Sequence, residues 1–227
     1  MPLVQKEVKK VYLGTHQVRP AVRQPTSSTL LYLPLENNLN DPYNSITASA
    51  SSWITFTTQD WVACAYSNDN YAVYLLDIPN DHTSCCWVKT NFDNNWMVYW
   101  CEDNILDPIP GVSNNGYTFQ PTLNPSWKYY FYDKSADYAT STSYTAWWTL
   151  VTLTKSWTTV KMYKNSTLIW TWTVAQNFTE KRLQLFTRDV TSQRFKWWAS
   201  NLIVENKVWT DQEISDYYDQ TKWTYWL

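Results

Sequence analysis

The stretch Trp148-Thr149-Leu150-Val151-Thr152-Leu153-Thr154-Lys155-Ser156-Trp157-Thr158-Thr159-Val160-Lys161-Met162-Tyr163-Lys164-Asn165 reads as a β-hairpin. Two runs rich in Val, Leu, Thr and Tyr, at 147–154 and 159–164, flank a short polar turn. Such residues favour a pleated, half-buried backbone. The same pattern extends in both directions, with runs at 29–35, 45–50, 53–58, 61–66, 71–76, 84–90, 96–101, 117–119, 127–132, 167–174, 181–187 and 199–205. Clusters of Asn, Asp, Ser and Pro separate them, as in a sandwich or barrel. The longest loop is 103–116, and no internal repeat is visible.

One helix interrupts the pattern. Thr210 followed three residues later by Glu213 is a capping box, in which the threonine hydroxyl takes an orphan backbone N–H and the glutamate reaches back. Ile214, Tyr217 and Tyr218 then recur on one helical face, and the helix is expected to end near Thr221. Ahead of the strands, residues 1–27 form a basic segment punctuated by Pro20 and Pro25. It reads as a short strand, Val8 to Leu13, and an extended linker. The expected division is an arm at 1–27 and one domain at 28–227, nearly all-β.

Composition narrows the function classes. With 18 basic and 20 acidic residues the net charge is −2, which lacks the clustered cations that neutralise phosphates in a nucleic-acid binder. No apolar run approaches the roughly 18 residues that span a bilayer. Met1 to Lys10 is too charged for a signal peptide. The cysteines are Cys64, Cys85, Cys86 and Cys101. Cys85 and Cys86 are neighbours and point to opposite faces of a strand, so they cannot share a metal. With no C-x-x-C spacing, no metal site is expected and the thiols read as buried and free.

The balance of two residue types is unusual: 3 Gly and 16 Trp. A domain of this length would ordinarily carry roughly 16 Gly, and a β-rich chain needs them at turns with φ > 0. Trp157 falls in a hairpin turn where glycine would be ordinary. Two explanations compete. One is a Trp-rich sugar-binding surface. The other is that UGA codons, glycine in the source organism, stand here as tryptophan. On the second reading Trp87, Trp148 and Trp209 are genuine and packed, with satisfied indoles. Trp157, Trp170, Trp172, Trp197, Trp223 and Trp226 should then look misplaced.

Four segments carry a family resemblance. Leu30-Leu31-Tyr32-Leu33-Pro34-Leu35-Glu36-Asn37-Asn38 resembles the opening strand of laminin G-like jelly rolls of the concanavalin A-like superfamily. Ser84-Cys85-Cys86-Trp87-Val88-Lys89 resembles their Ser-x-x-Trp-Val-Lys strand. The hairpin quoted above resembles theirs, with Ser166 where Gly is usual. Ala199 to Ile214 resembles the closing strand and capped helix. The resemblance implies an antiparallel jelly-roll β-sandwich with one short C-terminal helix, and it favours glycine at Trp147, Trp157, Trp170 and Trp197. Residues Lys6 to Gly14 loosely resemble leaders on phage or prophage structural proteins.

Catalytic constellations are hard to find. The glucanases of this superfamily carry carboxylates at alternating strand positions, and no such motif occurs here. Glu213 and Asp216 lie on the helix, as a capping residue and a solvated one. Glu102 and Asp103 are adjacent and diverge. His16 and His82 read as surface histidines in the arm and in a turn. Binding is the better expectation. In Trp127-Lys128-Tyr129-Tyr130-Phe131-Tyr132, alternation separates Tyr129 and Phe131 from Tyr130 and Tyr132. With Phe131 facing the core, Tyr130 and Tyr132 would offer rings and hydroxyls to a sugar, or else simply lie half-buried on a sheet. Asp103 and Asn104 on the long loop could join that site, or hold calcium through oxygen ligands. The expectation is a non-enzymatic carbohydrate-recognition or adhesion module on a phage or cell-surface assembly, with the arm as attachment. The alternative is a virion decoration protein that binds other protein chains without glycan; a homo-oligomer is compatible with either reading.

Overall fold

The computed structural model describes residues 11–13, 16–18, 25–90, 99–102, 117–121, 128–133, 136–143, 145–173, 180–189 and 193–227. In chain order the strands begin with β1 (Val11–Leu13), β2 (His16–Val18), β3 (Thr29–Leu33), β4 (Ala50–Ser51), β5 (Thr55–Gln59) and β6 (Val62–Asn70). Next come β7 (Ala72–Ile78), β8 (His82–Thr90), β9 (Tyr99–Glu102), β10 (Tyr117–Pro121), β11 (Lys128–Asp133) and β12 (Ala136–Ser143). The last are β13 (Thr149–Ser156), β14 (Thr159–Lys164), β15 (Thr167–Thr173), β16 (Glu180–Leu185), β17 (Thr187–Asp189) and β18 (Gln193–Glu205). Helix α1 (Asp211–Thr221) follows, closed by a 3-10 turn at Lys222–Tyr225.

The strands after the β1–β2 hairpin form two antiparallel sheets. One runs β12-β11-β10-β9-β16-β7-β4; the other runs β15-β14-β13-β8-β18-β6-β5, with β3 and β17 also paired to β18. Strand β18 is long enough to take two partners on one edge. Its Phe195–Ala199 half pairs with β6 and its Leu202–Glu205 half with β3, while β8 lies along the other edge. The register shifts between Ser200 and Ile203, where Asn201 adopts φ 50°.

Packing explains the sequence pattern of the nine-stranded sheet. Leu31, Leu33, Cys86, Val88, Val151 and Leu153 meet Tyr74, Tyr129, Leu183 and Leu185 of the opposite sheet in the inter-sheet core. On the other face Cys64, Cys85, Trp87, Leu150, Tyr163 and Ile203 pack beneath Ile214, Tyr217 and Tyr225. A sheet buried on both faces reads as a near-continuous apolar run rather than a clean alternation, and β13 is buried from Thr149 through Lys155. Cys85 and Cys86 do face opposite cores, and with Cys64 they are buried and in no disulfide among the described residues. Burial pushes the Cys64 thiol up to about 11. Trp87 fastens the helical segment: its ring stacks on Tyr225 at 3.9 Å and 13°, and its Nε1 donates to Thr221 Oγ1 at 3.1 Å. The capping box is present as expected, with Glu213 N donating to Thr210 Oγ1 and Thr210 N to Glu213 Oε2.

Several expectations need correction. The run at 45–50 is irregular except for Ala50; it follows a turn at 42–44 in which Asp41 accepts from the amides of Tyr43 and Asn44, and the same carboxylate accepts from the Tyr32 amide of β3. Strand β12 was not anticipated, since its Ala, Ser, Thr and Asp content lacks β-branched apolar residues. Trp170 and Trp172 are half-buried rather than misplaced: their rings stack on each other at 5.4 Å and 3° and pack against the inter-sheet core. Trp148 is buried, yet its Nε1 has no hydrogen-bond partner among the described residues. The side chain of Trp197 lies outside the described residues.

His82 is not a surface histidine. It begins β8 inside the structure, fully buried, with Nδ1 donating to the Pro79 carbonyl at 2.6 Å. Beside it the buried Lys155 ammonium reaches Asn80 Oδ1 at 2.5 Å. Burial above all, with the lysine charge adding to it, lowers the imidazole to about 4 from 6.5.

Two outcomes follow from this packing. Trp87→Ala should cost about 3–5 kcal/mol in urea unfolding, because a filled layer between sheet and helix becomes a cavity. A histidine kept neutral in the fold contributes no penalty above its unfolded pKa and a growing one below it. Stability should therefore fall as pH drops from 6.5 toward 4, by up to about 3 kcal/mol from this group. The difference between wild type and His82→Asn, measured across that window, isolates the effect.

Candidate functional site

Strands β13 and β14 present one face to the inter-sheet core through Val151, Leu153, Val160 and Met162. Period-2 alternation turns the other set outward. Leu150 and Tyr163 of that set lie under α1. Beyond the helix, Thr154, Ser156, Thr159 and Lys161 line a cleft of about 250 Å³, closed on its far side by Val208, Trp209, Thr210 and Asp211.

The cleft has fixed walls and available polar groups. Trp209 is held by its amide, which donates to Thr83 Oγ1 at 2.8 Å, and by its indole, which donates to Glu205 Oε2 at 2.6 Å. Asp211 Oδ1 accepts from the Tyr163 hydroxyl at 2.6 Å and lies 3.7 Å from Lys161 Nζ. Burial first, and the Asp211 carboxylate next, hold the Tyr163 phenol protonated well above its ordinary range. The Lys161 and Asp211 side chains are 39% and 71% exposed. A pair so exposed adds only about 0–1 kcal/mol to stability, so Lys161 can turn to a ligand at little cost, while Asp211 can offer its second oxygen and keep the Tyr163 bond on the first. Hydroxyls, a cation and a carboxylate above an apolar wall match a small polar molecule with apolar faces.

The candidates read from sequence fall elsewhere. Tyr130 and Tyr132 lie on β11, in the seven-stranded sheet. Their neighbour Tyr129 is buried in the inter-sheet core, at a point where the pairing with β12 shifts register between Lys128 and Tyr130; the side chain of Phe131, expected to face the core, lies outside the described residues. The side chains of Tyr130 and Tyr132, and the whole of Asp103 and Asn104, lie outside the described residues. The calcium reading of Asp103 and Asn104 lies outside them too. Among the described residues no group of three His, Cys, Asp or Glu side chains converges to hold a metal. Glu213 and Asp216 are engaged as a cap and with the Gln212 amide at 2.8 Å. Sequence reading missed the cleft because its halves are about 50 residues apart; only the Thr159-Lys161-Tyr163 alternation hinted at one wall.

No protein-family model matches the chain, and no curated protein matches it by sequence. Solved structures do match in shape. Domain 4 of AbnA, a GH43 extracellular arabinanase from Geobacillus stearothermophilus, solved with arabinotriose, superposes with a TM-score of 0.62 at 15% identity, over 84% of this chain and 98% of that one. The binding domain of botulinum neurotoxin DC in complex with SialylT gives 0.60 at 16% identity, over 85% of this chain and 51% of that one. The receptor binding domain of a botulinum neurotoxin C/D mosaic serotype gives 0.63 at 15%. The chain thus spans nearly all of the arabinanase domain and about half of each toxin binding domain. What is shared at these identities is the fold, an antiparallel β-sandwich with two facing sheets.

Proposed function

We propose that this chain is a non-catalytic carbohydrate-recognition module. The observation that carries the reading is the cleft between β14 and the start of α1. There Lys161 and Asp211 stand close enough to chelate neighbouring hydroxyls of one sugar, with Thr154, Ser156 and Thr159 along one wall. Charged hydrogen bonds of this kind contribute about 1.5–3 kcal/mol each, enough for specificity in a small site. The use of the same fold in structures solved with arabinotriose and SialylT supports the class of ligand. The second candidate face is the seven-stranded sheet at Tyr130 and Tyr132, with Asp103 and Asn104 at its rim. Placement on a phage or cell-surface assembly, with residues 1–27 as attachment, belongs to the same proposal.

A glycan array tests it. Competable binding to a defined sugar is expected, weakened about tenfold or more by Asp211→Asn or Lys161→Met with the melting temperature unchanged. Loss of binding in Tyr130→Ala or Tyr132→Ala instead moves the site to the other sheet. An array with no binder, together with stoichiometric incorporation into a particle, favours the virion decoration reading. Removing residues 1–24 spares the Thr26–Thr29 and Ser28–Glu205 hydrogen bonds. Calorimetry should then show a melting temperature close to that of the full chain, while attachment weakens.

A further inference from the structure

Three tryptophans occupy backbone positions that belong to glycine. Strands β5 and β6 pair Gln59 with Val62, leaving the two-residue loop Asp60-Trp61, with φ 50° and 66°. Two positive φ values in succession define a type I′ hairpin turn, for which Asn-Gly and Asp-Gly are the favoured pairs. Trp61 stands at the glycine of an Asp-Gly turn. Strands β13 and β14 pair Ser156 with Thr159 around Trp157-Thr158, and of these two only Trp157 has positive φ, 52°. That is the type II′ pattern, with glycine at the first loop position. Trp226 follows the 3-10 turn in the left-handed region, φ 60° and ψ 38°, the helix-capping position that glycine dominates.

Burial gives these rings no compensation. Trp61 is 86% exposed, Trp157 68% and Trp226 70%. A Cβ makes the left-handed region unfavourable, and glycine enters it freely. The other left-handed positions among the described residues carry Ser45, Asn165 and Asn201, short polar residues, or Leu35 and Phe186, whose side chains are fully buried and held there by the core. Trp87, Trp148 and Trp209 show the opposite profile, each at most 2% exposed with φ in the ordinary range. Trp53, Trp147 and Trp223 are also exposed, but their backbone does not demand glycine.

We infer that residues 61, 157 and 226 are glycine in the natural protein, encoded by UGA read as glycine, whereas residues 87, 148 and 209 are true tryptophans. UGA lies one base from the tryptophan codon UGG and one base from the glycine codon GGA, and each position so reassigned lowers the tryptophan count and raises the glycine count by one. The consequence for function is direct. The exposed rings at 61, 157 and 226 are not part of any sugar platform.

The coding DNA tests this first. UGA at 61, 157 and 226 with UGG at 87, 148 and 209 is expected; UGG at any of the first three, or UGA at any of the last three, overturns the assignment. Peptide mass spectrometry of the protein from its source reads the residues themselves, and tryptophan at 61, 157 or 226 would likewise overturn it. In the recombinant full-length chain, Trp61→Gly and Trp157→Gly should each raise the melting temperature by about 2–4 °C, the shift expected when a strained residue is relieved in a domain of this size. Trp87→Gly should abolish the cooperative transition or lower it steeply. A fall in the two turn variants like that of the core variant would overturn the inference.

Discussion

The stack of Trp87 on Tyr225 is the contact on which the outer half of this molecule depends. A sandwich needs only one apolar face on each sheet, but the nine-stranded sheet here has two. Its outer face would be open to water if the segment 206–227 did not fold back over it. Trp87 supplies both terms of that docking: a large ring for Tyr225 to lie on, and an indole donor for Thr221. Tyr225 in turn donates to Ser200 Oγ and accepts from Asn201 Nδ2, tying the 3-10 turn to the register shift of β18. Helix, shift and central strand form one unit, and the Asp211 side of the cleft inherits its position from it.

Much of this was legible in the residues. The capping box at Thr210 and Glu213 announced the helix to within a residue, because both partners are local. The hairpin 149–164 was equally plain, since its alternation and turn lie in one stretch. Where reading failed, the cause was long-range. His82 looked exposed between Asp81 and Thr83, yet the Pro79 carbonyl and the start of β8 enclose it. The run at 45–50 follows a turn that Asp41 closes, and only its last residue joins a sheet. The cleft needs Lys161 and Asp211 together, and nothing local predicts that they meet.

Electrostatics in the cleft differ from those in the core. Glu205 is buried and fully engaged, receiving Trp209 and Thr29; it holds the fold. Asp211 is exposed and shares one oxygen between a phenol and an ammonium, leaving its second oxygen to other partners. A carboxylate of the first kind is expensive to disturb. One of the second kind can take a further partner on its second oxygen without giving up the phenol, which suits recognition.

The divided pairing of β18 also bears on how the chain folds during synthesis. Its partners β3, β6 and β8 are all made more than 100 residues before it. Until residues 193–205 emerge from the ribosome, β8 and β6 present unpaired edges, and neither core can close. Topologies dominated by such distant contacts fold slowly and expose apolar edges meanwhile. Assembly of this sandwich is therefore a late, nearly single event. A nascent chain that stalls before β18 would be a substrate for chaperones rather than a partly formed domain.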